Sequence, residues 1–128
     1  MFDVLLVEDN PSDVLLIREA IQTCSVPTEV TIAYDGDQAM RVLDEHNPTP
    51  DLVILDLNLP RREGFEILGR ITDGGPPMIV FTSSDGSEDR MRAIALGAMD
   101  YIVKPVTWDE YASAIRGAIE RWAPLHAM

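Results

Sequence analysis

One cysteine, one lysine and two histidines are spread through 128 residues. A single thiol, Cys24, cannot close a disulfide within the chain, and it reads as a small core residue on the face of the first helix. Positive charge is scarce. Ten Lys and Arg stand against 22 Asp and Glu, and the net charge of -12 argues against binding nucleic acid, which normally needs a basic patch. No apolar run reaches the roughly 18 residues of a membrane span, and the opening MFDVLLVED lacks a charged-then-apolar leader. A cytoplasmic protein without membrane or nucleic-acid partners is therefore expected. Nine of the ten cations are arginine, which makes Lys104 the only lysine. That composition fits a salt-loving source and a biased genome equally well. His46 and His126 fall near a loop and in the tail, and carry no assignment.

What is present is an ordinary globular mix, 46% hydrophobic and 25% charged, long enough for one domain with a sizeable core. A single domain over 1–128 is expected, with no effector domain. Strand-like runs at 3–8, 29–34, 51–56, 77–82 and 100–104 recur about every 25 residues. Helical periodicity fills the gaps. Val14, Ile17, Ile21 and Cys24 mark the first helix, which begins at Pro11. Ala39, Val42 and Leu43 mark the second, and Phe65, Leu68 and Ile71 the third. Met91, Ile94 and Ala95 mark the fourth, which Gly97 should stop, and Ala112, Ile115, Ile119 and Trp122 mark the last. Five strand–helix units predict an α/β doubly wound parallel sheet with helices on both faces, in the flavodoxin-like strand order 2-1-3-4-5.

In such sheets ligands bind beyond the carboxyl ends of the strands, where the strand order reverses. Those ends carry Glu8 and Asp9, then Asp56, then Thr82 with Ser83 and Ser84, then Lys104 with Pro105. Strand two ends on YDGDQ, no more than a turn and a cap. The four chemically equipped strands are neighbours in the predicted order and the unequipped one is the edge. Asp56 closes the unalternating run LVIL, and taken alone it reads as the start of a turn. Its neighbours suggest more. Strands about 4.8 Å apart bring Asp9 and Asp56 together, and two carboxylates about 4 Å apart repel by roughly 4 kcal/mol at an effective dielectric near 20. A raised pKa or a cation must answer that repulsion, and a hard oxygen-liganded ion such as Mg2+ fits. Asp56 is then placed to attack a phosphoryl group. The metal, the Thr82 hydroxyl and the Lys104 ammonium would share the charge on the phosphoryl oxygens. Lys104 lies two strands from Asp56, about 10 Å, a distance only a long side chain spans.

The motifs LLVEDN, LVILDLNLP, VFTSS and DYIVKP, in that order on four strand ends, resemble the response-regulator receiver family across essentially the whole chain. The resemblance implies a two-component signalling switch rather than an enzyme, phosphorylated on Asp56 by a sensor histidine kinase. Its only catalysis would be its own phosphorylation and slow autodephosphorylation. Asp9 and Asp56 would ligate Mg2+ directly, Glu8 through water and Asn58 through its backbone carbonyl. Asp56, Thr82 and Lys104 would carry the chemistry, Thr82 and Tyr101 the switch, and Asn58 and Ser84 the lifetime of the phosphorylated state. Lys104–Pro105 matches the family's cis peptide. LVEDNPSD and LDLNLPRREG look most like stand-alone receivers serving phytochrome-type kinases. Output would pass to a downstream protein or a phosphotransfer protein, or through a homodimer formed by helix 4, strand 5 and helix 5. Glu63 before Gly64 and a short TDGGPP segment depart from the pattern and bear on kinase pairing.

Blander readings stand beside these. Tyr101 reads equally as a half-buried strand residue with its hydroxyl in water, and Thr82 as strand filler. Ser84 or Ser87 reads as a cap on helix four. Arg61 and Arg62 read as a solvated loop or as a kinase contact. Trp108, Tyr111 and Trp122 exceed what one buried stripe needs, so an exposed remainder would mark an interface. From another functional class, a phosphatase resembling the haloacid dehalogenase group also uses an aspartate after a buried strand. Its second aspartate, two residues on, is here Asn58, which cannot serve as general acid.

Overall fold

Leu52, Val53, Ile54 and Leu55 are all fully buried, which explains a hydrophobic run without alternation: this strand has protein on both faces. In the computed structural model, residues 1–45, 49–59, 64–71 and 74–127 are described, the last four by backbone. His46, Arg61, Arg62, Glu63 and the first two residues of TDGGPP lie outside the described residues, as does the side chain of His126.

Five strands, β1 (Phe2–Val7), β2 (Thr28–Ala33), β3 (Leu52–Leu55), β4 (Met78–Thr82) and β5 (Asp100–Val103), form one parallel sheet in the order β2-β1-β3-β4-β5. The predicted strand order is the observed one, with strand ends displaced by a residue or so. Helices α1 (Pro11–Gln22), α2 (Gly36–Glu45), α3 (Gly64–Ile71), α4 (Ser87–Ala95) and α5 (Trp108–Ala127) alternate with them. Successive strand residues divide between two cores. Val4, Leu6, Leu52, Ile54, Ile79 and Phe81 pack with α1 and α5, whereas Leu5, Val7, Val53, Leu55, Met78 and Val80 pack with α2, α3 and α4.

The helix termini follow local chemistry. Asn10 caps α1 by accepting the Ser12 N–H at 2.9 Å, and Pro11 occupies the first turn, where its missing N–H costs nothing. Gly97 follows the C-cap of α4 with φ of 113°, a conformation that favours glycine. Cys24 departs from expectation: α1 ends at Gln22, so the thiol lies beyond the helix, half-buried against the core, and burial raises its pKa.

The fourth helix contains the residues that mark it in the sequence, but it does not bury them. Met91 and Ile94 are 71% and 46% exposed and Ala95 is exposed, so these residues face solvent. Within α4 the inward position belongs to Ala93, which with Ala98 just beyond the helix packs against Tyr101 and the sheet. Small inward residues let the helix sit close to the sheet, leaving the larger apolar side chains on its outer side.

Gly64 opens α3 against the chain that has just left β3. A Cβ there would lie 2.4 Å from the Leu57 Cα and 2.6 Å from its carbonyl oxygen. Gly64→Ala therefore forces α3 away from the loop after Asp56, at an expected cost of about 1–3 kcal/mol. Urea unfolding measures this, and an unchanged midpoint contradicts the close approach.

Candidate functional site

Sheet register delivers the site. Val7 pairs with Leu55, Leu55 with Val80 and Thr82 with Val103, so Glu8, Asp56, Thr82 and Lys104 emerge at one edge of the sheet. Backbone bonds hold the exits: Asp56 N–H donates to the Val7 carbonyl at 3.0 Å and Lys104 N–H to the Thr82 carbonyl at 2.8 Å. Glu8, Asp56 and Thr82 are the buried polar residues among those described.

Asp56 has both oxygens engaged. Oδ1 accepts from the Thr82 hydroxyl at 2.9 Å and from the Asn58 N–H at 3.1 Å, and Oδ2 accepts from Lys104 Nζ at 3.0 Å. Lys104 also donates to Glu8 Oε1 at 2.7 Å and to Asp13 Oδ2 at 3.0 Å. Glu8 Oε2 accepts the Asn10 N–H at 3.2 Å. Burial works against the lysine's charge, but Glu8 and Asp56 outweigh it and hold its pKa above the ordinary lysine value. Burial pushes the Glu8 carboxyl up to about 7 against the pull of Lys104, and the charge of Asp56 adds to the rise.

Carboxylates outnumber ammonium groups here, and the excess has a definite shape. Glu8, Asp9 and Asp56 each offer an oxygen, and these oxygens lie within 4.8 Å of one another. Glu8 and Asp56 are buried while Asp9 is exposed, so the cluster opens to solvent on one side. An all-oxygen donor set with a solvent-facing side fits a hard divalent cation that retains water.

Around this core the remaining expected residues fall into place or are corrected. Tyr101 is 4% exposed and its hydroxyl donates to the Ser84 carbonyl at 2.8 Å, so the half-buried reading with a hydroxyl in water is wrong. The Arg90 guanidinium stands 5.9 Å from the Tyr101 ring centroid. Neither serine caps α4: Gly86 is the N-cap without a side-chain bond, Ser87 begins the helix, and the Ser84 hydroxyl donates to the Asp89 carboxylate. Of the three aromatics of α5, only Trp108 is exposed; Tyr111 is buried and Trp122 half-buried. Asn58 is exposed beside Asp56.

Sequence reasoning missed Asp13. It lies in the first turn of α1, where an acidic residue is expected simply to suit the helix dipole. Its Oδ1 accepts the Tyr111 hydroxyl at 2.7 Å while Oδ2 binds Lys104, so it joins α1, β5 and α5. Burial and then Asp13 hold the Tyr111 pKa above its ordinary value. The available signal was position: α1 begins two residues after the acidic pair, so its first turn faces the same cluster.

The family model of the response regulator receiver domain matches residues 4–116. The chain belongs to the response-regulator receiver family, whose members act as phosphoacceptor switches in two-component signalling. Among curated relatives, Response regulator Rcp1 of Synechocystis is 31% identical over 128 residues, covering 93% of this chain and 87% of its own length. The transcriptional regulatory protein TrcR of Mycobacterium tuberculosis is 34% identical over 92% of this chain, which spans only 45% of TrcR. Among solved structures, the phosphorylated cyanobacterial phytochrome response regulator RcpA superposes with a TM-score of 0.87 at 33% identity, covering 94% of this chain and 93% of RcpA. The Mn(2+)-bound form of Rcp1 has a TM-score of 0.87 at 30% identity over 95% and 94% of the two chains. The phosphatase alternative finds no support in these matches.

Divalent salt should relieve the crowding of carboxylates. MgCl2 at about 100-fold above its dissociation constant should stabilise the fold by about 2.7 kcal/mol by mass action. Thermal unfolding reads this as a rise in Tm that Asp9→Asn largely abolishes. A Tm indifferent to MgCl2 contradicts the assignment of the cluster.

Proposed function

We propose that Asp56 accepts a phosphoryl group from the phosphohistidine of a sensor kinase and that the product state is read by other proteins. A carboxylate oxygen of Asp56 forms the new O–P bond, the P–N bond breaks, and the electron pair leaves with the histidine nitrogen. One observation carries this reading: the Asp56 carboxylate is oriented by Thr82 on one oxygen and Lys104 on the other, at the rim of an all-oxygen cluster. Lys104 offers fixed positive charge where the transferred oxygens gather, and the Thr82 hydroxyl offers a donor. Asp9 and Asp56 would hold Mg2+ directly, Glu8 through water and Asn58 by its backbone carbonyl. When bound, that ion supplies charge neutralisation at the phosphoryl oxygens. The same groups support slow self-catalysed loss of the phosphoryl group, with Asn58 and Ser84 beside the site tuning its rate.

The switch reading uses Thr82 and Tyr101. A charge-assisted hydrogen bond from Thr82 to a phosphoryl oxygen, about 1.5–3 kcal/mol, shifts a two-state equilibrium about tenfold to a hundredfold. In this structure Tyr101 lies inward. On the same side of the molecule Met91, Ile94 and Val103 are exposed on α4 and β5, an apolar surface suited to a downstream protein, a phosphotransfer protein or a second copy of this chain. Likeness to the phytochrome response regulator RcpA supports a phytochrome-type sensor kinase as the donor. Among the described residues no helix is long and apolar enough to cross a membrane, which suits a cytoplasmic setting.

Intact mass after incubation with acetyl phosphate tests the proposal. The wild type gains one phosphoryl group in MgCl2 and none without it, and Asp56→Asn gains none. An adduct on Asp56→Asn, or none on the wild type with either acetyl phosphate or a cognate kinase, overturns it.

A further inference from the structure

Asp13 is a fourth carboxylate at the site, outside both the proposed metal ligands and the Thr82–Tyr101 pair. An ammonium has three N–H donors, and those of Lys104 are committed to Glu8, Asp13 and Asp56. If Lys104 is to bond an oxygen of an arriving phosphoryl group, one of these contacts has to be released. Glu8 is a poor choice, because its side chain is 1% exposed and release would leave it, among the described residues, only the Asn10 N–H. Asp56 is the acceptor itself. Asp13 is different on both counts. Its side chain is 19% exposed, and its other oxygen keeps the Tyr111 hydroxyl at 2.7 Å.

Tyr111 is built to stay where it is. Its ring meets Phe81 edge-on with centroids 5.0 Å apart and stacks against Trp108 at 6.4 Å, which fixes the hydroxyl toward α1. Asp13 therefore has one partner that can leave and one that cannot.

We propose that Asp13 is a positioning residue for Lys104: it holds the ammonium before transfer, and it is the contact that the arriving phosphoryl oxygen displaces while Tyr111 retains the released carboxylate. The exchange swaps one anionic partner of the lysine for another, and no proton changes place. The inference rests on the reading of Asp56 as phosphoacceptor.

Substitutions on the two sides of Asp13 should act in opposite directions. Asp13→Asn removes the anion that competes for Lys104, so the half-saturating concentration of acetyl phosphate falls. Tyr111→Phe keeps the aromatic packing and the Asp13 charge but removes the partner that retains Asp13, so release becomes harder and the half-saturating concentration rises. Each shift is expected to lie between about twofold and tenfold, below that of a fully buried charge-assisted bond because Asp13 is partly exposed and water takes up part of the loss. In the double variant, the Tyr111 substitution should have no further effect. Intact-mass time courses in saturating MgCl2, across a series of acetyl phosphate concentrations, provide these values. Shifts of both single variants in the same direction overturn the proposal in favour of a shared structural role for the α1–α5 link. A neutral Tyr111→Phe overturns it in favour of the Asp13 charge alone, and any other pattern also overturns it. No adduct on the wild type removes the Asp56 reading and this inference together; an adduct on the wild type with the wrong pattern removes only this one.

Discussion

The ammonium of Lys104 is the interaction on which the rest of the site depends. Glu8 and Asp56 are buried at neighbouring strand ends, where unpaired carboxylates would be costly to keep. A single cation, itself only 10% exposed, meets both and Asp13 as well. These acceptors come from the end of β1, the first turn of α1 and the end of β3, and the donor comes from the end of β5. Three strand pairings, β1 with β3, β3 with β4 and β4 with β5, must therefore be correct before the contact set can form. Once formed, it still leaves carboxylates in excess, and the Glu8–Asp9–Asp56 cluster gives that excess a place to receive a divalent ion. Fold and chemistry are linked through this one charge balance.

Two paths lead outward from the Asp56–Lys104 pair. One runs from the Thr82 hydroxyl on β4 through the backbone of Ser84 to the Tyr101 hydroxyl on β5, near the exposed apolar residues of α4. The other runs through Asp13 to Tyr111 and ends at Trp108, which is 42% exposed on α5. The first passes through a neutral hydroxyl, whereas the second begins at a lysine whose charge partners would change with the state of Asp56. A domain of this size thus has two faces whose chemistry touches the same carboxylate.

Much of this was legible in the sequence because β1, β3, β4 and β5 each read as an apolar run, and the polar residue that ends each run is the one that reaches the site. Glu8, Asp56, Thr82 and Lys104 were visible in that way, and the reach from Lys104 to Asp56 followed from strand spacing alone. Asp13 was not visible, because an acidic residue in the first turn of a helix has an ordinary explanation in the helix dipole. The orientation of α4 was not legible either, for a related reason. Its inward residue is an alanine, a weak hydrophobic signal, and the strong signal from Met91 and Ile94 belongs to the outer face. Periodicity reports that a helix has an apolar side, and packing decides which side meets the sheet.

Lys104 being the only lysine makes the central claim directly measurable. Isotope-labelled lysine gives one side-chain resonance, from the group said to exchange partners when Asp56 is modified. The account predicts that acetyl phosphate with MgCl2 moves this resonance in the wild type and leaves it in place in Asp56→Asn. A resonance that stays fixed while intact mass shows the wild type fully phosphorylated would contradict it.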